Sequence, residues 1–377
     1  IQDMGPPTLS KLKSVKASSL PLKKVVFTGE QLEAVAEFII YDGDNEKLLF
    51  SGKGMQEFRF HGENGTDELA AQKVWFSPKE NRLELTGGLS GHLYQENWSK
   101  DGFEGASDLP KGTKWHYEAQ SAVAQFQKTE NEWKLITFEA EKDVKLSNAD
   151  LQLFVSGEHL TYDHRNQTMT LDAKAQEGGT GLQSITYGPL EQKNWLVARH
   201  IRISRRERIQ RGAPTAEIVA VLTEDVRCNF HLRALKDKKE MPKTAPQKLD
   251  ITADRICFVA PAKKSTTGGS VSFAQAEGNV MFKAYSRTDS HSKPLYSGSG
   301  ARALYCHTPM HFALFGEKND KAVIEHPLGE ERGSVITISR RSDGSFRLES
   351  GVECSDMLKE PFAVPVPGET FSAASVE

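Results

Sequence analysis

From Ser156 to Ala173 the chain reads Ser-Gly-Glu-His-Leu-Thr-Tyr-Asp-His-Arg-Asn-Gln-Thr-Met-Thr-Leu-Asp-Ala. Apolar and polar residues alternate through Leu160 and Tyr162, stop at Asp163-His164-Arg165-Asn166, and alternate again through Met169 and Leu171. An alternation of this kind places Leu160, Tyr162, Met169 and Leu171 on one face of an extended ribbon, and the polar break between them is a turn. A two-stranded hairpin is marginal by itself in water, so its apolar face needs neighbouring strands to cover it.

The chain supplies them by repetition. Ala71/Val74/Phe76, Gly157/Leu160/Tyr162, Ala198/Ile201/Ile203, Ala253/Ile256/Phe258 and Ala301/Leu304/Cys306 share one pattern: a small residue, two variable ones, then two apolar positions separated by one residue. Copies at spacings of 41 to 86 residues are too irregular for a strict solenoid, but they point to one supersecondary unit stacked many times. Further strand-like runs are Lys24–Thr28, Leu32–Tyr41, Leu48–Phe60, Trp115–Phe126, Trp133–Leu146, Trp195–Ser204, Glu217–Phe230, Val271–Gly278 and Ser334–Ser339. A basic turn is expected at 205–212, and no apolar pattern of helical period persists beyond about two turns. The expected class is all-β.

Length and composition agree with a sheet that has one wet face. The 377 residues exceed one small core, hydrophobic residues make up only 38%, and yet 19 Phe remain to be buried. Residues 1–24 and 359–377 read as an N-terminal arm and a C-terminal tail, and residues 235–248 as a linker between β segments 25–234 and 249–358. Residues 95–115 read as a surface excursion. A net charge of −3 singles out no polyanionic partner, so nucleic acid is not expected. No apolar run approaches the roughly 18–20 residues that span a bilayer. Ile1 in place of an initiator Met implies a trimmed start, which leaves any signal or anchor of a precursor open.

The units resemble the OstA-like repeat of the lipopolysaccharide-transport proteins of the LptA and LptC type. The matching stretches are Gly157 to Asp163 with Met169-Thr170-Leu171, Ala253-Asp254-Arg255-Ile256 with Ala276-Glu277-Gly278-Asn279-Val280, and Ala71 through Gly88. That resemblance implies an elongated β-jellyroll of stacked antiparallel V-shaped strands with an apolar groove. It also implies an extracytoplasmic, periplasmic carrier or bridge for the lipid A part of lipopolysaccharide, serving outer-membrane biogenesis. Partners would be that glycolipid, other β-jellyroll transport proteins joined by edge-strand addition, and further copies of the chain end to end. No enzyme activity and no cofactor are implied. The chain departs from the family in being roughly twice the usual length.

A trough of this kind needs only apolar walls, since each acyl CH₂ withdrawn from water contributes about 0.8 kcal/mol and a dozen carbons on the order of 10 kcal/mol before entropy. The inner-face candidates are Val74, Phe76, Leu83, Leu85, Leu160, Tyr162, Met169, Leu171, Ile201, Ile203, Ile256, Phe258, Phe273, Val280 and Phe282. The bland alternative is that they fill an ordinary core, in a structural or adhesive β-repeat protein that binds carbohydrate or protein and has no lipid groove.

Arg199, Arg202, Arg205, Arg206 and Arg208 form the densest basic run and are candidates for phosphate groups or an acidic partner. The competing reading is a charged, aggregation-resistant strand edge. Cys306-His307 with His311 has metal-capable side chains, but Pro309 between them makes the spacing unpersuasive and no metal is expected. Cys228, Cys257, Cys306 and Cys354 allow three disulfide pairings or none. Gly-x-Ser-x-Gly in a strand-to-helix context, His-Glu-x-x-His, Gly-Lys-Ser/Thr and Gly-x-Gly-x-x-Gly after a strand are absent.

Overall fold

The computed structural model describes residues 14–18, 24–28, 32–62, 65–94, 114–128, 133–150, 152–173, 182–187, 193–210, 213–231, 248–261, 271–285, 293–306, 311–317, 320–340 and 346–350. Most of the arm, residues 95–113 of the excursion, most of the linker and the whole tail lie outside these residues, and Lys114 and Trp115 begin a strand. The described residues hold 23 strands joined in one sheet, and every pairing between neighbours is antiparallel. Strands Ala213–His231 and Lys248–Pro261 pair along nearly their whole length, so the sheet passes from the first β segment into the second without interruption.

The repeated small-x-x-apolar pattern marks a crease in mid-strand. In Gly65–Ser77 the buried positions are Asp67, Leu69 and Ala71, then Val74 and the terminal Ser77, with Gln72 and Lys73 exposed between Ala71 and Val74. The inward face thus changes from odd to even positions across two residues. Register shifts fall at the same place in successive pairs: between Ala71 and Lys73, Gly157 and His159, Thr252 and Arg255, and Glu277 and Val280. Many of these creases carry positive φ, at Gly87 and Gly88, Lys142 and Asp143, Glu224 and Asp225, and Gly278. Such bulges bend a strand sharply. Elsewhere the bend divides the strand outright, as between Leu32–Ala36 and Phe38–Asp42, or Asn194–Ala198 and His200–Gln210. Each rung is therefore a V, and the stacked rungs form two walls that meet along one crease.

Two cross-strand ladders run up the inside of one wall. Nearest the crease, cross-strand pairing links Phe50, Val74, Leu85, Ala122, Ala140, Leu160, Leu171, Ile201, Leu222, Ile256, Ala276, Ala303, Leu314 and Ile336 in order. None of these is more than 6% exposed. On the other wall small residues, Ala71, Ala119, Gly157, Ala253 and Gly300, alternate from strand to strand with Leu89, Val144, Val226 and Val280. A Cβ on Gly157 would lie 3.3 Å from Leu171 Cδ2, and one on Gly300 would lie 3.0 Å from Leu314 Cδ1. Aromatic pairs from opposite walls meet edge to face, Phe50 with Phe58 at 5.0 Å beside the crease, and Phe230 with Phe258 at 5.4 Å and Phe282 with Phe312 at 5.1 Å farther out.

The fifth sequence copy is shifted by one residue. Pairing sets Ala303 opposite Ala276 and Leu314, so Gly300, Ala303 and Tyr305 take the inward places and Leu304 faces out. The preceding run Ser297-Gly298-Ser299-Gly300-Ala301 is small at every position, so composition leaves its parity undetermined. The basic turn expected at 205–212 is also shorter. His200–Gln210 and Ala213–His231 run as strands almost to their junction, with Arg206 opposite Glu217.

The outer turns repeat one device. Asp163 Oδ1 accepts the N–H of Arg165 at 2.9 Å, and its Oδ2 accepts Asn166 Nδ2 at 2.6 Å. Asp42 Oδ1 accepts the N–H of Asp44 at 3.1 Å, and its Oδ2 accepts Asn45 Nδ2 at 2.7 Å. These bonds fix the Asx turns that Asp and Asn favour. The Asn45 side chain holds the Asp42 carboxyl below its ordinary range. At Asp163 partial burial acts in the opposite direction, and the hydrogen bonds from Asn166 and the Arg165 N–H outweigh it.

The crease and the turns each lead to a stability test. Leu171→Ala should lower the unfolding free energy by about 2–5 kcal/mol, whereas Met169→Ala one row farther out should cost clearly less; urea titration of both variants checks the order. Because folding lowers the Asp42 and Asp163 pKa values, their contribution is complete above the ordinary carboxylate range and is lost as pH falls through the folded-state values. The double variant Asp42→Asn/Asp163→Asn should therefore lose stability less steeply than the parent below about pH 4 in thermal melts.

Candidate functional site at the mouth of the folded sheet

Away from the crease a second inner ladder runs up the same wall, less covered than the first except where Phe258 meets Phe230 and Phe312 meets Phe282 from the opposite wall. It runs Leu83, Ala124, Phe138, Tyr162, Met169, Ile203, Ala220, Phe258, Ala274, Tyr305, Phe312 and Ile338. Phe138, Tyr162, Met169, Ile203, Ala220, Ala274, Tyr305, Phe312 and Ile338 are only partly buried. No polar side chain interrupts the ladder, apart from the hydroxyls of Tyr162 and Tyr305. Burial raises both phenol pKa values, so these groups stay neutral. The mouth is thus a continuous apolar strip, uncharged along its length.

The fifteen inner-face candidates divide on this geometry. Val74, Leu83, Leu85, Leu160, Leu171, Ile201, Ile256, Phe258, Val280 and Phe282 face inward but are buried in the contiguous core, where the walls stand too close for anything except side chains. Phe76, Tyr162, Met169 and Ile203 also face inward and remain partly accessible near the mouth. Phe273 differs. It packs on the outward face with Val219, Cys257 and Val259, and with Leu304, Ala313 and Phe315, because Ala274 and Ala276 take the inward positions of its strand.

The arginine run does not form a patch. Arg199 sits at the crease and donates from Nε to Asp225 Oδ2 at 3.0 Å. Arg202 and Arg206 share the outward face, where Arg206 engages Glu217 through Nε and a terminal guanidinium nitrogen, each at 3.0 Å. Arg205 alternates onto the inward face beyond Ile201 and Ile203. The side chain of Arg208 lies outside the described residues. Two of the five are thus committed to carboxylates, and alternation disperses the rest.

The outward face beside the crease holds features that sequence reading passed over. Glu141, His159, Asp172 and His200 stand in neighbouring strands of one row, followed higher up by Arg255, Glu277 and Arg302. His200 Nδ1 lies 3.0 Å from Asp172 Oδ1, Arg255 donates to Glu277 at 3.0 Å, and the Arg302 guanidinium lies 4.4 Å over Phe315. The His200–Asp172 contact and the Arg255–Glu277 pair across neighbouring strands favour this register over a slipped one. Glu139, Glu141 and His159 bring three ligand-type atoms within 4.8 Å of one another. The 2.9 Å hydrogen-bond contact of His159 Nε2 with Glu139 Oε1 accounts for their approach. Cys306 stands opposite His311 in the ladder, and His307 lies outside the described residues.

Cys228 and Cys257 are free thiols, and Cys354 lies outside the described residues. Cys228 faces the interior, and burial drives its pKa far up; burial also raises that of Cys257. Among the described residues no helix is long and apolar enough to cross a membrane.

Together these features define an all-β, folded-sheet protein with a partly accessible apolar ladder along one wall. Comparison with known proteins adds no closer assignment: no family model matches the chain, and no curated protein matches it.

The burial order predicts thiol chemistry. Thiolates are the reactive form, so at pH 8 Cys306 should label with a maleimide in the native protein while Cys257 and Cys228 label only on unfolding. Peptide mass mapping before and after urea reads this directly.

Proposed function

We propose that this protein is a non-enzymatic carrier or bridge for the acyl chains of a lipopolysaccharide-like glycolipid, working outside the cytoplasm in outer-membrane biogenesis. The observation that carries the reading is the apolar mouth ladder from Phe138 to Ile338, partly accessible on either side of the buried Phe258 and running beside a fully buried crease. A hydrocarbon tail laid along it gains burial without any directional group, and a tail can pass from rung to rung because neighbouring positions are alike. The sequence resemblance to the OstA-like transport repeat supports the same ligand class.

A folded stack of this type also ends in strands with open edges. Strand Phe346–Ser350 is paired on one side, to Val335–Arg340, among the described residues. Edge-strand addition to a similar module, or to a second copy, would extend the mouth across the junction.

The aromatic pairs across the walls favour a second reading, a structural or adhesive β-rod closed along its length. Cross-linking separates the two. With a photoreactive residue at Tyr162 or Phe312, lipid A should be captured, and at the outward neighbour Thr161 it should not. Equal capture at inward and outward positions, or none at either mouth position, leaves the closed rod as the better account.

A further inference from the structure

The mouth ladder accounts for tails and leaves open what holds a head group. One recess on the same wall has the chemistry for it. Three rung tips converge there around a space of about 460 Å³, a size typical of small-ligand sites. Its floor is Phe126 and Ile136, and its polar rim includes Asn81, Gln125, Gln127 and Arg165.

The recess is shaped by the backbone. Pairing runs from Gln125 opposite Thr137 directly to Phe126 opposite Leu135, which leaves Ile136 as an unpaired bulge residue. Bulges of this kind re-aim side chains and are common beside binding sites. The carbonyl left free at Ile136 accepts the N–H of His164 at 2.9 Å, and the carbonyl of Asn81 accepts the N–H of Phe126 at 2.9 Å. Two turns from other hairpins are thus tied down against the bulge. Asp163 is saturated by its own turn, so it acts as a wall. Among the described residues, the side chains of Asn81, Gln125, Gln127 and Arg165 make no hydrogen bond to protein.

We propose that this recess binds a hexose-type sugar ring. Carboxamides supply paired donors and acceptors that match vicinal hydroxyls, a guanidinium adds further donors, and an apolar floor suits the C–H face of a pyranose. The position suits the function proposed above, on which the head-group assignment rests. Thr137 and Asp163, which pair with each other and line the recess, stand one residue beyond the mouth pair Phe138 and Tyr162 and on the outward face, so the recess lies across the rim of the wall from the ladder. A glycolipid with its tails on the mouth ladder would present its sugar one residue farther out, over the rim of the wall.

Saturation-transfer NMR on the full chain, irradiating aliphatic methyl groups, tests the proposal with methyl glucoside, glucosamine and glucosamine 1-phosphate as probes. The ring protons of at least one sugar should receive saturation. Gln125→Ala/Gln127→Ala should weaken its apparent affinity by about tenfold, the effect of losing one to two hydrogen bonds, and Arg165→Ala should weaken the phosphosugar most. Lys145→Ala, on a side chain remote from the recess and paired with Glu118, should change nothing. Absence of transfer from all three sugars, or transfer undiminished in the double variant, overturns the assignment. Binding of the fluorescent fatty acid cis-parinaric acid, followed in the same variants, reports the mouth separately. Sugar binding lost with acyl binding kept supports two distinct subsites. Acyl binding absent with sugar binding present removes the carrier reading and keeps the recess.

Discussion

Contact between the apolar ladder at the crease and the residues facing it is the constraint on which the rest of the molecule depends. An extended sheet with one greasy face has to cover that face, and this chain does so by folding the sheet onto itself instead of adding a second layer. The fold-over works only if every rung bends at the same height. Several rungs therefore carry, in their own sequence, a small residue, two residues that leave the plane, and an apolar residue that fills the angle, as in Ala71 to Val74, Gly157 to Leu160 and Ala253 to Ile256. Positive φ at Lys142, Asp143, Glu224 and Asp225 carries a backbone cost for residues with a Cβ. Those positions persist because burial of Leu160, Leu171, Ile201 and Leu222 beside them outweighs it.

This construction explains why part of the fold was legible in the sequence. Alternation gave the strands, and Asp163-to-Asn166 and Asp42-to-Asn45 gave turns with a mechanism. The crease was visible only as a repeated wording. A phase change of two residues inside a strand leaves no Gly or Pro punctuation at Gln72–Lys73 or Glu158–His159, so Leu32 to Tyr41 read as one run although it bends at Glu37. Where small residues crowd together, as from Ser297 to Ala301, no pattern fixes which face is inward. Phe273 shows the same limit from the other side: size suggested an inward position, but the neighbours Ala274 and Ala276 fit the narrow interior and Phe273 fits the outside.

The candidate site was legible in the same uneven way. Fourteen of the fifteen positions chosen for the inner face pack toward the interior, since periodicity reports faces. Depth is a property of wall separation, which no single strand encodes, so lining residues and core residues looked alike. The arginine run illustrates the converse. Consecutive charges look like a patch in one dimension, whereas a strand sends neighbours to opposite sides and places partners such as Asp225 and Glu217 beside them. The recess at Phe126 and Ile136 had no linear signature, because three separate hairpins and one bulge build it.

The two-residue phase change at the crease also limits how such a chain can vary in length. Lengthening a hairpin at its tip adds to a wall and leaves every inward side chain where it was. Adding or losing a single residue between Ala71 and Val74, or between Gly157 and Leu160, would turn the whole outer half of that rung inside out, presenting charge to the core and apolar side chains to water. Drift in length is therefore confined to the tips and to whole rungs, and the cross-section stays constant while the stack grows or shrinks.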